Sequence, residues 1–175
     1  MKRTKFKIYV NQYKDLIYTQ AYYFTKNRED AGDITQDVLI KLWHNLDKVA
    51  HKFVKSWLLL VTKNLCIDFS RKKRELTVSV LSGDSDEKGF QLDGLDDGPD
   101  PEQDTIHQDE KNRLMDAINR LPDKIKSVII MREIQDLKYE DIAEAMEIPV
   151  NSVKVYLHRG RKKLYEHLKP YYQRG

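Results

Sequence analysis

At 175 residues the chain has room for one domain or two small ones, and a 40% hydrophobic share is enough to build compact cores. Its formal charge of +3 hides a segregation, with basic residues near both ends and in the middle and acids gathered in one block. A single cysteine, Cys66, excludes an internal disulfide, the apolar run Trp57 to Val61 is too short for a membrane span, and the lysine-rich start lacks the apolar core of a signal peptide, so a cytoplasmic location is expected.

The first 25 residues carry Phe6, Tyr9, Val10, Tyr13, Leu16, Ile17, Tyr18, Ala21 and Phe24 at three-and-four spacing, which predicts an amphipathic helix with an aromatic core stripe. Asn27 suits the cap of a second helix, about Arg28 to Leu46, whose first turn holds Glu29, Asp30 and Asp33. That helix turns Ala31, Ile34, Val38 and Leu42 inward and carries Asp30, Asp33, Asp37 and Lys41 along one side, with Gln36 near them. Such a stripe is usually only solvated. Gly32 in its interior costs about 1 kcal/mol relative to alanine.

Asp47 to Lys55 loses the periodicity and reads as a loop. A third helix, from about Val54 to Arg74, places Trp57, Leu58, Val61 and Leu65 inward, packs Cys66, and leaves Lys63, Asn64, Asp68 and Arg71 available. It ends in four adjacent cations, Arg71 to Arg74, which complement a helix C-terminus whether or not DNA is near.

From Gly83 to Glu110 eleven acids face one base, Lys88, among interspersed glycines and prolines. Such a segment cannot bury a core, and like charges extend it, so a flexible acidic linker is expected. Asp93, Asp96, Asp97 and Asp100 suggest a calcium loop, but Leu95 takes the second ligand place and no glutamate follows at the required distance.

Helical periodicity resumes over Asp109 to Arg120 and Lys124 to Gln135, broken at Leu121-Pro122-Asp123. Ile142, Ala143 and Met146 then form one short helical pattern and Val153, Leu157, Gly160, Leu164 and Leu168 a second, the outline of a helix-turn-helix. Opposite the second stripe lie Asn151, Val155, His158, Arg159 and Lys162, with Lys154 beside them. Donors and one small apolar group line up as a major groove would require. Seven Lys or Arg from Asn151 onward face a single acid, Glu166, which suits phosphate contacts and equally suits a solvated basic helix end. Glu147 stands in a turn place that often needs a left-handed backbone, and Lys138 where a serine cap is usual.

The stretch from Leu121 to Leu164 resembles region 4 of bacterial sigma factors of the extracytoplasmic-function (ECF) group, REDAGDITQDVLIKLW resembles sigma region 2.2, and the SWL…NLCID…R pattern resembles regions 2.3 and 2.4. The resemblance implies an all-α fold of two small helical domains, region 2 over 1–76 and region 4 over 111–175, joined by the linker 77–110. It implies Asp33, Gln36, Asp37 and Lys41 at the core RNA polymerase. It implies His51, Lys52, Phe53, Lys55, Lys63, Asn64 and Arg71 at the single-stranded −10 element of promoter DNA, where a flipped base is captured. Lys154, Val155, His158 and Arg159 would read the −35 element, with Ser152, Arg161 and Lys162 on phosphates. Core polymerase, promoter DNA and an anti-sigma factor, often membrane-bound, are the implied partners.

A stand-alone helix-turn-helix regulator would share the C-terminal half, but its receiver domain should alternate strands and helices where residues 1–75 look helical throughout. An enzyme is the weakest reading, because five histidines and one cysteine lie scattered without ligand spacing and no nucleophile elbow or phosphate-binding glycine loop appears. No metal, cofactor or small-molecule substrate is expected.

Overall fold

The computed structural model describes residues 1–82 and 105–173, all of whose regular structure is helical. The first helix, α1 (Lys2–Thr25), stops where Lys26 turns left-handed at φ 56° and its N–H bonds the Tyr22 carbonyl at 2.8 Å. The next begins at once, because the Asn27 side chain accepts from the Asp30 N–H at 2.9 Å and so satisfies a donor of the first turn. This helix, α2 (Arg28–Asn45), buries Ala31, Ile34, Thr35, Val38 and Leu42 and packs antiparallel-fashion back along α1, to which it is tied by a two-residue connection.

The expected loop holds a single 3₁₀ turn, His51–Phe53, and runs directly into α3 (Val54–Ser82). Leu58, Leu59, Thr62 and Cys66 of α3 are buried against α1 and α2, and Gln20 of α1 reaches across to donate to the Leu59 carbonyl at 3.4 Å. From Arg71 to Leu81 the same helix is exposed.

The second half comprises α4 (Thr105–Asn119), α5 (Asp123–Ile129), α6 (Tyr139–Met146) and α7 (Val150–Tyr172). The helix expected over Lys124 to Gln135 divides: α5 gives way to a π-helical turn, Ile130–Ile134, which ends as Asp136 turns left-handed at φ 50°. The wider turn leaves Gln135 directed at α1, where its Nε2 donates to the Leu16 carbonyl at 2.8 Å. Helix α7 comes so close to α5 that a Cβ on Gly160 would lie 2.5 Å from Ile129 Cγ1 and 2.9 Å from Ile125 Cγ2. Only glycine fits that crossing.

One hydrophobic core runs through both halves, from Tyr9 and Ile17 through Leu58 and Ile118 to Ile142 and Leu157. Helix α1 packs on α4 and α5, and α3 packs on α6. Residues 77–82 and 105–110 of the expected linker are helical, while its remainder, with Asp93, Asp96, Asp97 and Asp100, lies outside the described residues.

Candidate nucleic-acid interface

Helix α6 ends at Glu147, whose backbone is left-handed at φ 56° and ψ 43°, and Pro149 starts α7 three residues after α6 closes. Lys138, before α6, makes no side-chain cap. With Val153 and Leu157 buried against the preceding helices, the 100° step leaves Asn151, Lys154, Val155, His158 and Arg159 exposed on the opposite side. Val155 is 46% exposed, an apolar side chain held in solvent among donors. This is a surface shaped for a groove, with Lys162 and Lys163 exposed beyond it and Ser152 half-buried at its start.

Arg161 is engaged elsewhere. Its Nε donates to Glu133 Oε1 at 2.6 Å, and that bond raises the guanidinium pKa further. A phosphate at Arg161 therefore competes with a carboxylate from the π turn.

The 3₁₀ turn presents a second group. Tyr9, buried in α1, lies 2.7 Å from His51 Nδ1 through its hydroxyl and stacks on the imidazole with centroids 5.7 Å apart. Lys52 sits 4.7 Å over the Phe53 ring, which is 46% exposed. His51, Lys52 and Phe53 thus form a fixed, exposed aromatic and basic knuckle at the N-terminus of α3, and the anchor Tyr9 carried no sequence signal beyond its place in the apolar stripe. Further along α3, Asn64 and Arg71 are exposed, Arg71 lying 3.5 Å from Asp68 one turn away.

One member of this group is placed differently from expectation, and another is engaged in an ion pair. Lys63 was expected to stay available and is only 8% exposed, because α6 packs over that face of α3. Burial lowers its pKa, Glu147 opposes that shift and Lys124 adds to it. Lys55 extends to Asp141 Oδ2 of α6 at 3.4 Å.

On α2, Asp33, Gln36, Asp37 and Lys41 are all exposed along one face, and Ile40, 49% exposed, sits in the middle of them. Ile40 escaped the sequence reading. An isoleucine out of phase with the buried stripe was the available signal.

Among the described residues no three His, Cys, Asp or Glu side chains gather to hold a metal, and no helix is long and apolar enough to cross a membrane. Cys66 is fully buried and burial pushes its thiol pKa up to about 12, so it stays a neutral packed thiol.

The family model for sigma-70 region 2 matches residues 9–75, and that for sigma-70, region 4 matches residues 111–164. The ECF RNA polymerase sigma factor SigW of Bacillus subtilis (strain 168) is 34% identical over 165 residues, covering 91% of this chain and 87% of its own. The RNA polymerase sigma factor SigV of the same organism is 30% identical over 154 residues, covering 87% and 84%. Among solved structures, the sigma factor RpoE in complex with the anti-sigma factor NepR from Bartonella quintana has the same fold, with a TM-score of 0.69 at 23% identity over 94% of this chain and 96% of that one. CnrH, in complex with the cytosolic domain of CnrY, gives a TM-score of 0.68 at 19% identity over 94% and 88%. Two sigma-70 regions matched in the same order, together with relatives 34% and 30% identical over most of their length, place this chain in the ECF group of RNA polymerase sigma factors.

Proposed function

We propose that this protein binds core RNA polymerase in the cytoplasm, directs it to promoters by reading the −35 and −10 elements, and promotes melting between them. It acts as a recognition subunit and not as an enzyme. The observation that carries the reading is the face of α7, where Lys154, Val155, His158 and Arg159 stand exposed over a buried stripe. Lysine and arginine suit guanine O6 and N7, and an exposed valine suits a thymine methyl. Ser152, Arg161 and Lys162 fall at the flanks of that face, where phosphates would run.

The −10 strand is assigned to the knuckle His51, Lys52 and Phe53, with Lys55, Lys63, Asn64 and Arg71 along α3. A ring held in solvent beside a lysine can stack on an unpaired base and keep it from pairing again. Core polymerase is assigned to Asp33, Gln36, Asp37 and Lys41 with Ile40 among them. An anti-sigma factor is the further partner, supported by RpoE and CnrH, each solved with a bound protein.

Run-off transcription with purified core polymerase on a pool of genomic promoter fragments tests the reading. Discrete transcripts that require this protein are expected, and aligning their upstream sequences yields both elements. Duplex binding with no effect on core polymerase would instead support a stand-alone helix-turn-helix regulator.

A further inference from the structure

Tyr9 of α1 and His51 of the 3₁₀ turn stand 42 residues apart in the chain, yet the phenolic oxygen lies 2.7 Å from His51 Nδ1 and the two rings stack with 26° between their planes. Tyr9 is 7% exposed, and the Tyr13 ring packs beside it with centroids 6.4 Å apart, so the anchor is itself held. The backbone around His51 is fixed as well. Phe53 N–H bonds the Ala50 carbonyl at 2.9 Å, and Val54 N–H bonds the carbonyl of His51. His51 nevertheless stays exposed, and among the described residues no partner reaches its Nε2.

The proton between the two rings has one favourable place. A phenol is a better donor than a neutral imidazole N–H and a poorer acceptor than the imidazole lone pair, so the Tyr9 hydroxyl donates to Nδ1. The reverse arrangement, with Nδ1–H donating to the phenolic oxygen, would leave the O–H of a buried residue without an acceptor among the described residues. With Nδ1 occupied as an acceptor, a neutral imidazole carries its proton on Nε2. A protonated ring presents Nε2–H too. In either state the outer edge of His51 is a donor and never an acceptor.

We infer that Tyr9 is a positioning residue for promoter recognition, locking His51 as a donor-only group at the base captured from the −10 strand, so that the captured base is a keto base, thymine or guanine. This rests on the assignment of the knuckle His51 to Phe53 to that strand. Thymine O4 and guanine O6 accept a hydrogen bond where cytosine N4 and adenine N6 carry amino donors. An amino group brought against Nε2–H sets donor against donor and leaves both unpaired. The Phe53 ring, 46% exposed with Lys52 4.7 Å over it, can stack on any base and attract any phosphate. Those two residues hold a nucleotide; His51 chooses among nucleotides.

The test uses four full-length proteins: wild type, Tyr9→Phe, His51→Phe and the double variant. Tyr9→Phe keeps the buried ring and its stack and removes only the hydroxyl. Long-range nitrogen–proton correlation spectra of the free proteins, at alkaline pH where imidazoles are neutral, report the tautomer, and His51→Phe identifies the His51 signals among the five histidines. Wild type is expected to show a protonated Nε2 and a hydrogen-bonded, unprotonated Nδ1, and Tyr9→Phe a mixture of tautomers. Each protein is also assembled with core polymerase, and fluorescence anisotropy is measured on labelled single strands carrying a −10 element mapped by run-off, each position set in turn to thymine, guanine, cytosine or adenine. At one position wild type should prefer the keto bases about three- to tenfold, the net effect of one hydrogen bond, and Tyr9→Phe should lose most of that preference. In the His51→Phe background, which has no such preference, Tyr9→Phe should change nothing. A proton on Nδ1 in wild type, or identical His51 spectra in wild type and Tyr9→Phe, would overturn the positioning role. Strands bound with no keto preference at any position, or with one that Tyr9→Phe leaves intact, would overturn the inference while the knuckle keeps its place on the −10 strand. Binding of every strand unchanged by His51→Phe would overturn that assignment and the inference with it.

Discussion

Gly160 has no room for a side chain. An added methyl group would meet Ile129 Cγ1 at 2.5 Å and Ile125 Cγ2 at 2.9 Å, both on β-branched side chains that cannot swing aside, so α7 must shift away from α5. Gly160→Ala is expected to lower stability by about 1 to 3 kcal/mol, measured by urea denaturation, with weaker −35 binding because the reading helix moves with it. The exposed neighbours divide by role. Arg159→Ala should cost about 1 to 3 kcal/mol at one or two positions of a promoter panel, whereas Lys162→Ala should weaken all promoters alike and reduce the salt slope by about 1; equal losses everywhere from both would undo the division. The exposed face of α7 was legible from sequence because it follows from a helical period and a buried stripe. Lys63 and Arg161 were not, since what covers or binds them, α6 and Glu133, arrives from distant segments.

Helix α2 shows how far local rules reach. Asn27 was legible as its cap, and the structure has its side chain accepting from Asp30 N–H. Gly32 is exposed with nothing within 4 Å of an added Cβ, so its cost is purely conformational. Asn27→Ala should therefore lower, and Gly32→Ala raise, thermal stability by about 1 kcal/mol each, and the double variant should melt near wild type. A melting point unmoved by Gly32→Ala would show that the helix is strained there for another reason. The π turn at Ile130–Ile134 was beyond such rules. The consecutive buried residues Val128 to Met131 that lead into it show no period to betray a wider turn, and the departure positions Gln135 against α1, a contact 119 residues away in the chain. Glu147 lies between the cases: its left-handed backbone was expected from the turn it occupies, yet its charge acts on Lys63 only because α6 folds onto α3.

At the scale of the whole molecule, the two regions share one core, and Lys126 is buried at their junction. It is 4% exposed, 4.1 Å from the Phe24 ring centroid, and bonds Asn119 Oδ1 at 2.9 Å. Burial lowers its pKa from 10.5 to about 8; Asp123 and Cys66 resist the shift, and Arg74 and Lys73 add to it. Because the folded value is the lower one, the unfolded chain holds the proton between about pH 8 and 10.5 where the folded chain has lost it, so stability rises with pH across that window. At about 1.4 kcal/mol per unit the whole rise is on the order of 3 kcal/mol. Denaturant titrations of wild type and Lys126→Met should differ in pH slope over that window and run parallel below it; identical slopes would place Lys126 in water. The sequence by itself determined the helical elements, the two-region order, the exposed side of α7 and the family, because each depends on short-range periodicity or on a motif of fixed spacing. Tertiary structure alone decided that region 4 lies against region 2, that Lys55, Lys63 and Arg74 meet acids or burial, and that Lys126 sits at the seam. Those outcomes depend on which surfaces approach in space, and a pair 49 to 90 residues apart leaves no local pattern to read.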